Sequence, residues 1–513
     1  MTSEKGDCFK MNEIRIGRPY ITKKGNTAVI QSDIVENGKE MKLFCQVYEE
    51  YEQYLCDERS DAFVVITLPL AIRKGYDIIC EAPVTEALLH NINTILIPHL
   101  VMGDSRLHPI KVIAPVDNSP IGGEAVGTGI SLGVDSMYTI MKYTDPGSVY
   151  KDMEITHFMI ANNSIDLKTH NEDSIYGWEE KNKASIDRYE EAARYFNKPL
   201  IKMYSNLYAY LGRFYYHYTV HTYKTLAHVL LLKKLWRIYY FANSLPFTHF
   251  NLKGNSSEDT YTTELLIMHT LNVPDFSVYS SGSISRIQKT VELADYEPAR
   301  KWLHPCWNQE KKNCSKFYCN KCLRGLLALD YYDKLDAMSE VFDVDYYRKN
   351  HFDYLYRLVE KKDDVLLCDL YKMMHEKYPE EMKKAENKYA AAHANISRAK
   401  YDELAQTYYL VLKLMSTDNI KEKILKLFLD RGIKTLYCSG GTNLEKTVRR
   451  IISDKIQCYD KYTSTKIYEC DGAFNFLTNA TDIKINTESL KREGAKTVFT
   501  VYDLEKLCGD TAK

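Results

Sequence analysis

Apolar residues along this chain recur with two rhythms, and the rhythm changes several times between the termini. From residue 12 to about 116, Glu13-Ile-Arg-Ile-Gly, Thr27-Ala-Val-Ile-Gln and Lys42-Leu-Phe-Cys-Gln-Val alternate or cluster apolar positions as strands do. Lys24-Gly-Asn and Asn37-Gly are the turns between them. Residues 61–70 and 85–100 read as helices, and 110–115 as one more strand. Residues 117–330 alternate the two rhythms: strands are expected at 125–130, 155–161, 200–204, 248–252 and 276–279, with helices at 181–196 and 219–242 among those between them. That βαβ succession predicts a doubly wound, mostly parallel sheet with helices on both faces. Residues 331–420 are charged and helical, for example 379–415, with Glu/Lys pairs on a solvated face. Residues 421–513 return to α/β: strands at 434–438, 455–459, 482–486 and 496–502, and a helix at 444–452.

The fold class expected is therefore α/β: a central doubly wound sheet at 117–330, an N-terminal α+β domain at 1–116, a helical connector at 331–420 and a small Rossmann-like domain at 421–513. In the last of these, Asp460 stands about twenty residues beyond Gly440-Gly441, where a ribose-binding acid would sit. Two glycines are only a fragment of a dinucleotide fingerprint, so a degenerate, non-binding domain stays open beside a nucleotide site.

Composition narrows the function classes. At 513 residues the chain is long enough for several cores. Its 68 basic and 69 acidic residues leave a net charge of −1, so nothing favours nonspecific binding to nucleic acid or anionic lipid. Of 13 cysteines, an odd number, nine lie outside one cluster and show no framework spacing, which suits a reducing compartment. The N-terminus lacks an apolar signal core, and the longest apolar stretch, 62–72, is too short to span a bilayer. A cytoplasmic location without membrane attachment is expected, and a homodimer stays open.

Two motifs carry chemistry. The segment Gly127-Thr-Gly-Ile-Ser-Leu-Gly-Val-Asp-Ser-Met-Tyr-Thr139 reads as an apolar strand, a tight loop and a helix opening on Asp135-Ser136. Such a junction aims backbone N–H groups and a positive helix end at one point, which suits phosphate. Asp and Ser are also favoured helix caps, and the two roles use one geometry. The second motif is Cys306-x7-Cys314-x4-Cys319-x2-Cys322: four cysteines within seventeen residues can aim their thiolates at one tetrahedral Zn²⁺. His304 is a further candidate ligand.

Ser131-x-Gly133-x-Asp135-Ser136 resembles the pyrophosphate loop (PP-loop, S-G-G-x-D-S) of the adenine-nucleotide alpha-hydrolase-like enzymes, and no Walker A motif occurs in the chain. With the cysteine cluster, and with Tyr204-Ser-Asn206 and Ser285-Arg286-x-x-Lys289 between, residues 125–330 resemble 7-cyano-7-deazaguanine synthase and its relatives. The resemblance implies a PP-loop ATP-binding domain at 117–330 that cleaves ATP between the α and β phosphates. Ser131, Leu132, Gly133, Val134, Asp135 and Ser136 would bind the nucleotide, with Asp135, Ser136, Arg286 and Lys289 catalytic. Cys306, Cys314, Cys319 and Cys322 would hold zinc. ATP, Mg²⁺ and Zn²⁺ are the implied cofactors. A small-molecule or protein carboxylate and an amine or ammonia are the implied partners.

Two departures from the family pattern are visible. Its first loop glycine is Leu132 here, whose Cβ disfavours a left-handed backbone, so ordinary dihedrals or an altered anion site are expected. The cluster's middle spacing, usually C-x-x-C, gains two residues within Ser315-Lys-Phe-Tyr318. Arg286 and Lys289, one turn apart, fit a solvated basic face as well as a phosphate contact, and Arg324 is similar. His217 and His221, spaced i,i+4, read as packed residues, because no H-E-x-x-H glutamate accompanies them. The function expected is an ATP-dependent C–N ligase. The alternatives are a PP-loop tRNA sulfurtransferase, against which the near-neutral charge counts, and a catalytically inactive nucleotide-sensing protein.

Overall fold

The computed structural model describes residues 12–144, 150–162, 174–212, 217–252, 263–306, 308, 310–415, 417–440, 443–452, 455–459, 467–477 and 480–507. The protein divides into two compact units, Met1–Glu386 and Asn387–Lys513. Among the described residues no helix is long and apolar enough to cross a membrane.

The first unit is α/β around one large mixed sheet. Its amino-terminal strands are β1 (Glu13–Ile16), β2 (Tyr20–Lys24), β3 (Thr27–Glu36), β4 (Lys39–Tyr48), β5 (Asp77–Cys80), β6 (Val84–Thr85), β7 (Val112–Ile113) and β8 (Val116–Asp117). The hairpin β3–β4 turns on Asn37 and Gly38, both with positive φ, as its right-handed twist requires. Then follow β9 (Ala125–Gly129), β10 (His157–Ala161), β11 (Leu200–Ser205), β12 (Trp236–Ala242) and β13 (Ser277–Ser281). Strands β13-β12-β9-β10-β11 are all parallel, and their order reverses direction between β9 and β12. Such a switch point leaves a crevice at the carboxyl ends of the strands.

The sheet does not stop at residue 116. Strand β11 pairs antiparallel with β4, so the sheet continues through β3, β1, β5 and β7, and the expected "mostly parallel" sheet is mixed. One core runs through both parts, including Ile14, Val64, Met203, Leu226 and Trp236. The helix Asp61–Lys74 packs against the helix His217–Leu231. Buried charge adds to this seam. The Lys233 ammonium, with no exposed side-chain surface, lies 3.0 Å from Thr85 Oγ1 and 3.5 Å from carboxylate oxygens of both Asp61 and Asp275. Asp275 in turn accepts the N–H groups of Ile121 and Gly122.

Two expectations in the parallel region are corrected. The helix expected over 219–242 ends at Leu231, and Trp236–Ala242 is β12, the strand beside β9. A strand buried on both faces reads as a continuous apolar run, which periodicity alone cannot separate from a buried helix. Residues 248–252, expected as a strand, are not one. Gly127 is dictated by β12: a Cβ there would stand 2.4 Å from the Trp236 ring.

The region 331–386 belongs to the first unit rather than to a free connector. Asp330 ends a buried polar knot, accepting hydrogen bonds from Tyr347 and Tyr378, the latter at 2.8 Å, with His351 Nε2 at 3.3 Å. The helix Pro379–Met415 has the expected bounds. The second unit holds a four-stranded parallel sheet of β14 (Thr435–Ser439), β15 (Gln457–Tyr459), β16 (Gly472–Asn475) and β17 (Val498–Thr500), in the order β15-β14-β16-β17. The strand expected at 482–486 falls instead in the helix Ala480–Arg492, and the fully buried β16 takes its place. Asp460 lies outside the described residues.

Burial would raise the Asp330 carboxyl, but its contacts with His351, Tyr347 and Tyr378 and the charge of Lys377 carry it down to about 2. A depressed carboxyl contributes stability that is complete above its unfolded value, 3.8, and is lost as pH falls towards 2. Thermal unfolding of the Asp330→Asn chain should therefore begin at a lower temperature than wild type near neutral pH. The gap should close on acidification through that window, and a gap independent of pH would rule this role out.

Candidate active site at the loop and the cysteine cluster

Strand β9 delivers the chain to Ile130-Ser131-Leu132-Gly133, and the loop helix Val134–Thr144 begins at once. The junction lies at the switch point between β9 and β12. The first N–H groups of a helix have no partner within it, so those of Val134, Asp135 and Ser136 converge at this end with its positive dipole. Ser131 Oγ and Ser136 Oγ stand 3.0 Å apart, and Gly133 N–H donates to Ser131 Oγ at 3.4 Å.

Leu132 departs from expectation. Its φ is +56°, so the leucine itself adopts the left-handed conformation that glycine takes at low cost. The strain is about 1–2 kcal/mol, and full burial of the side chain, worth about 1.5–3 kcal/mol, offsets it. The Leu132 carbonyl accepts the backbone N–H of His304 at 2.7 Å. The loop is thereby tied to the segment that carries the cysteines.

Asp135, Arg286 and Lys289 come together. Ser285 and Gln288 form a reciprocal capping box that starts the helix Arg286–Ala294 at Arg286, so Arg286 and Lys289 share its inner face. Arg286 donates to Asp135 Oδ2 from Nε and Nη2, at 3.0 and 2.7 Å, and Lys289 Nζ donates to Oδ1 at 3.1 Å. Lys289 is fully buried and also donates to the Asn243 carbonyl at 2.7 Å. Burial pushes Asp135 up, but the charges of Arg286 and Lys289 outweigh it and the carboxyl titrates below its ordinary value. Burial pulls the Lys289 ammonium down, against the opposing pull of Asp135. The solvated basic face is thus excluded for Lys289.

The four cysteines also converge. Cys319 caps the cluster helix Asn320–Tyr331, Cys322 lies buried in its first turn, and Cys306 and Cys314 come from the preceding loop. Their sulfurs all lie within 4.8 Å of one another, with Cys306–Cys319 at 3.9 Å and Cys314–Cys322 at 3.6 Å. Tetrahedral Zn–S bonds of ~2.3 Å require sulfurs about 3.8 Å apart. The cluster can therefore hold a metal such as zinc, and four thiolates would leave no open position, as structural sites do. Between Cys314 and Cys319, Ser315 is left-handed at φ +50°, its Oγ accepts the Asp343 N–H and its carbonyl accepts the Tyr354 hydroxyl. His304 Nε2 faces the Glu310 carbonyl at 3.1 Å, and the sulfurs complete the set without it.

A cavity of about 560 Å³ opens between these parts. Ser131, Gly133, Asp135 and Ser136 line one side and His304, Pro305 and Cys306 another, with Met159, Trp178, Ile186, Tyr189, Tyr239 and Phe241 as apolar and aromatic walls. Arg188, His221 and Lys321 also reach it. The size and the mixture of apolar wall with a few polar groups are those of a small-molecule site. Tyr239 and Phe241 were not legible as site residues because their strand read as helix. Lys321, half-buried inside the Cys-x-x-Cys and pushed down to about 8 by burial, Arg286 and Arg324, could have been found from its place between two of the clustered cysteines.

Polar groups at the carboxyl ends of β10 and β11 serve the scaffold. Asn162 bridges Ser205, accepting its N–H at 2.8 Å and donating to its carbonyl at 2.8 Å, and Asn206 accepts the Phe44 N–H at 2.8 Å across the β4–β11 seam. The His217 side chain lies outside the described residues. Comparison with protein-family models, curated proteins and solved structures finds no match for this chain.

Purified protein should carry about one zinc per chain by elemental analysis, and the Cys319→Ser, Cys322→Ser chain should lose both the metal and thermal stability. A metal-free double variant as stable as wild type would remove the structural role. Leu132→Gly relieves the strain but empties a packed site whose loss costs about 2.7–5 kcal/mol in comparable leucines, so a net loss of roughly 1–4 kcal/mol is expected in denaturant unfolding. A stabilised variant would contradict the packing account.

Proposed function

We propose that this chain is an ATP-dependent ligase of the PP-loop class, similar to 7-cyano-7-deazaguanine synthase. It would adenylate a carboxylate with release of pyrophosphate and form a C–N bond. The observation that carries the reading is the Ser131–Ser136 junction at the switch point, opening on a cavity walled by the four-cysteine segment. An acceptor carboxylate oxygen attacks the α-phosphorus, and the bond from that phosphorus to the β-phosphate oxygen breaks, its electron pair leaving on pyrophosphate. An amine or ammonia nitrogen then attacks the acyl carbon, AMP leaves with the carbon–oxygen bond pair, and the nitrogen gives up a proton.

The chain's own groups contribute electrostatics. Loop N–H groups and the Ser131 and Ser136 hydroxyls face the phosphates, and Arg286 and Lys289 supply positive charge at fixed positions. Asp135 acts as the positioning residue for both cations, because its two oxygens are already engaged. Mg²⁺ arriving with the nucleotide would neutralise phosphate charge, and zinc on the cysteines would hold the cavity wall. A second reading, nucleotide sensing without turnover, is favoured by the engagement of both Asp135 oxygens with Arg286 and Lys289.

Product chromatography after incubation with ATP, Mg²⁺ and a small-molecule cell filtrate should give AMP and pyrophosphate. ADP as the main product would eliminate the ligase reading, and binding without any turnover would favour the sensor. Ser136→Ala should slow turnover by an amount equivalent to about 2.7–4 kcal/mol, by analogy with a lost oxyanion donor.

A further inference from the structure

Arg286 and Lys289 hold the same carboxylate, but they do not face the same space. Arg286 stands on a pocket of about 130 Å³ beside the loop, whereas Lys289 lines neither that pocket nor the large cavity, and none of its side chain is exposed. An ammonium carries three N–H donors and no acceptor. All three donors of Lys289 are engaged: Asp135 Oδ1 at 3.1 Å, the Asn243 carbonyl at 2.7 Å and Asn243 Oδ1 at 3.4 Å. None is left for an atom of a substrate, so Lys289 acts through Asp135. Two of its three acceptors belong to Asn243, the residue directly after β12. Ala242 and Ser244 on either side line the large cavity, while Asn243 is wholly buried. Its amide donates to the Leu245 carbonyl at 2.9 Å, which fixes the side chain with its oxygen towards Lys289.

We propose that Asn243 is a positioning residue: it holds the Lys289 ammonium behind Asp135, so that of the two cations only Arg286 is presented to the pocket beside the loop. The assignment rests on the ATP-cleaving reading above and adds Asn243 to its machinery. Burial pulls Lys289 down most, and Asp135 on the loop helix pulls it up. Arg286, on the same helix as Lys289, adds to the fall, and Glu264, which opens the helix Glu264–Leu271, opposes it. The Tyr138 ring, 5.9 Å away, completes the surroundings. In so dry a place each acceptor helps the ammonium keep its proton. An amide supplies one without burying a second carboxylate. Were Lys289 to become neutral, Asp135 would keep only Arg286 as a counter-charge.

Unfolding temperatures of full-length wild type, Asn243→Leu and Asn243→Asp, followed from neutral pH towards 10.5, test this. Leucine removes the acceptor, so Lys289 gives up its proton at lower pH than in wild type. The wild type's lead over this variant should narrow as pH rises, because both then hold a neutral amine. Aspartate keeps an acceptor and adds charge, so Lys289 stays protonated to higher pH, and the wild type's lead over it should widen. If Asn243 served only to hold Leu245, both substitutions would remove that bond alike, and two gaps independent of pH would overturn the assignment. In AMP formation from ATP, Mg²⁺ and the small-molecule filtrate at neutral pH, Asn243→Leu should be about fivefold slower or more, and Asn243→Asp should retain most of the rate. A leucine variant that turns over as wild type does would also overturn the positioning role. Opposite pH trends with no AMP formed by wild-type protein would instead sink the nucleotide reading and leave the hold on Lys289 standing.

Discussion

The carboxylate of Asp135, held between Arg286 and Lys289, is the interaction on which the candidate site depends. Lys289 has no exposed surface, and an ammonium buried there without a carboxylate would cost several kcal/mol. The pairing therefore fixes the start of the loop helix against the helix Arg286–Ala294, which in turn packs on the cluster helix. Two elements some 150 positions apart in the chain are held by one charged contact, and a third packs on the second of them. A Cβ at Gly282, itself at φ +73°, would stand 2.9 Å from Tyr138 and 3.0 Å from Lys289, so the packing around this pair admits little else.

A second tie runs through the backbone. Leu132 accepts an unfavourable conformation, and its carbonyl meets the His304 N–H two residues before Cys306. The strain is small beside what the buried side chain contributes, so a leucine can serve where a glycine would be expected. The loop and the cysteine segment are thereby joined along the wall of one cavity. A metal on the four sulfurs would brace that wall, with no coordination position left open.

The amino-terminal strands are joined to the parallel region by other means. The seam between β4 and β11 is a backbone ladder, reinforced where Asn206 accepts the Phe44 N–H. Away from that ladder, Lys233 lies between Asp61 and Thr85 of the amino-terminal region and Asp275 of the parallel region. These contacts make one sheet of what composition and rhythm present as two domains. The amino-terminal region thus serves as an extension of the sheet that carries the loop.

Local signals determined much of this. Alternation and turn residues identified most strands, the Asn37-Gly38 turn and the helix Pro379–Met415, because those depend on neighbours in the chain. Cysteine spacing was enough to expect a metal cluster, and the loop pattern to expect a strand–loop–helix junction, since both are short-range geometries. What the tertiary structure alone decided involves partners distant in sequence. Strand β12 read as helix because a doubly buried strand loses its alternation. The basic pair Arg286 and Lys289 read equally as solvated charge until Asp135, some 150 positions earlier, was brought against it. Leu132 read as incompatible with a left-handed turn because the burial that offsets its strain is supplied by the fold and not by adjacent residues.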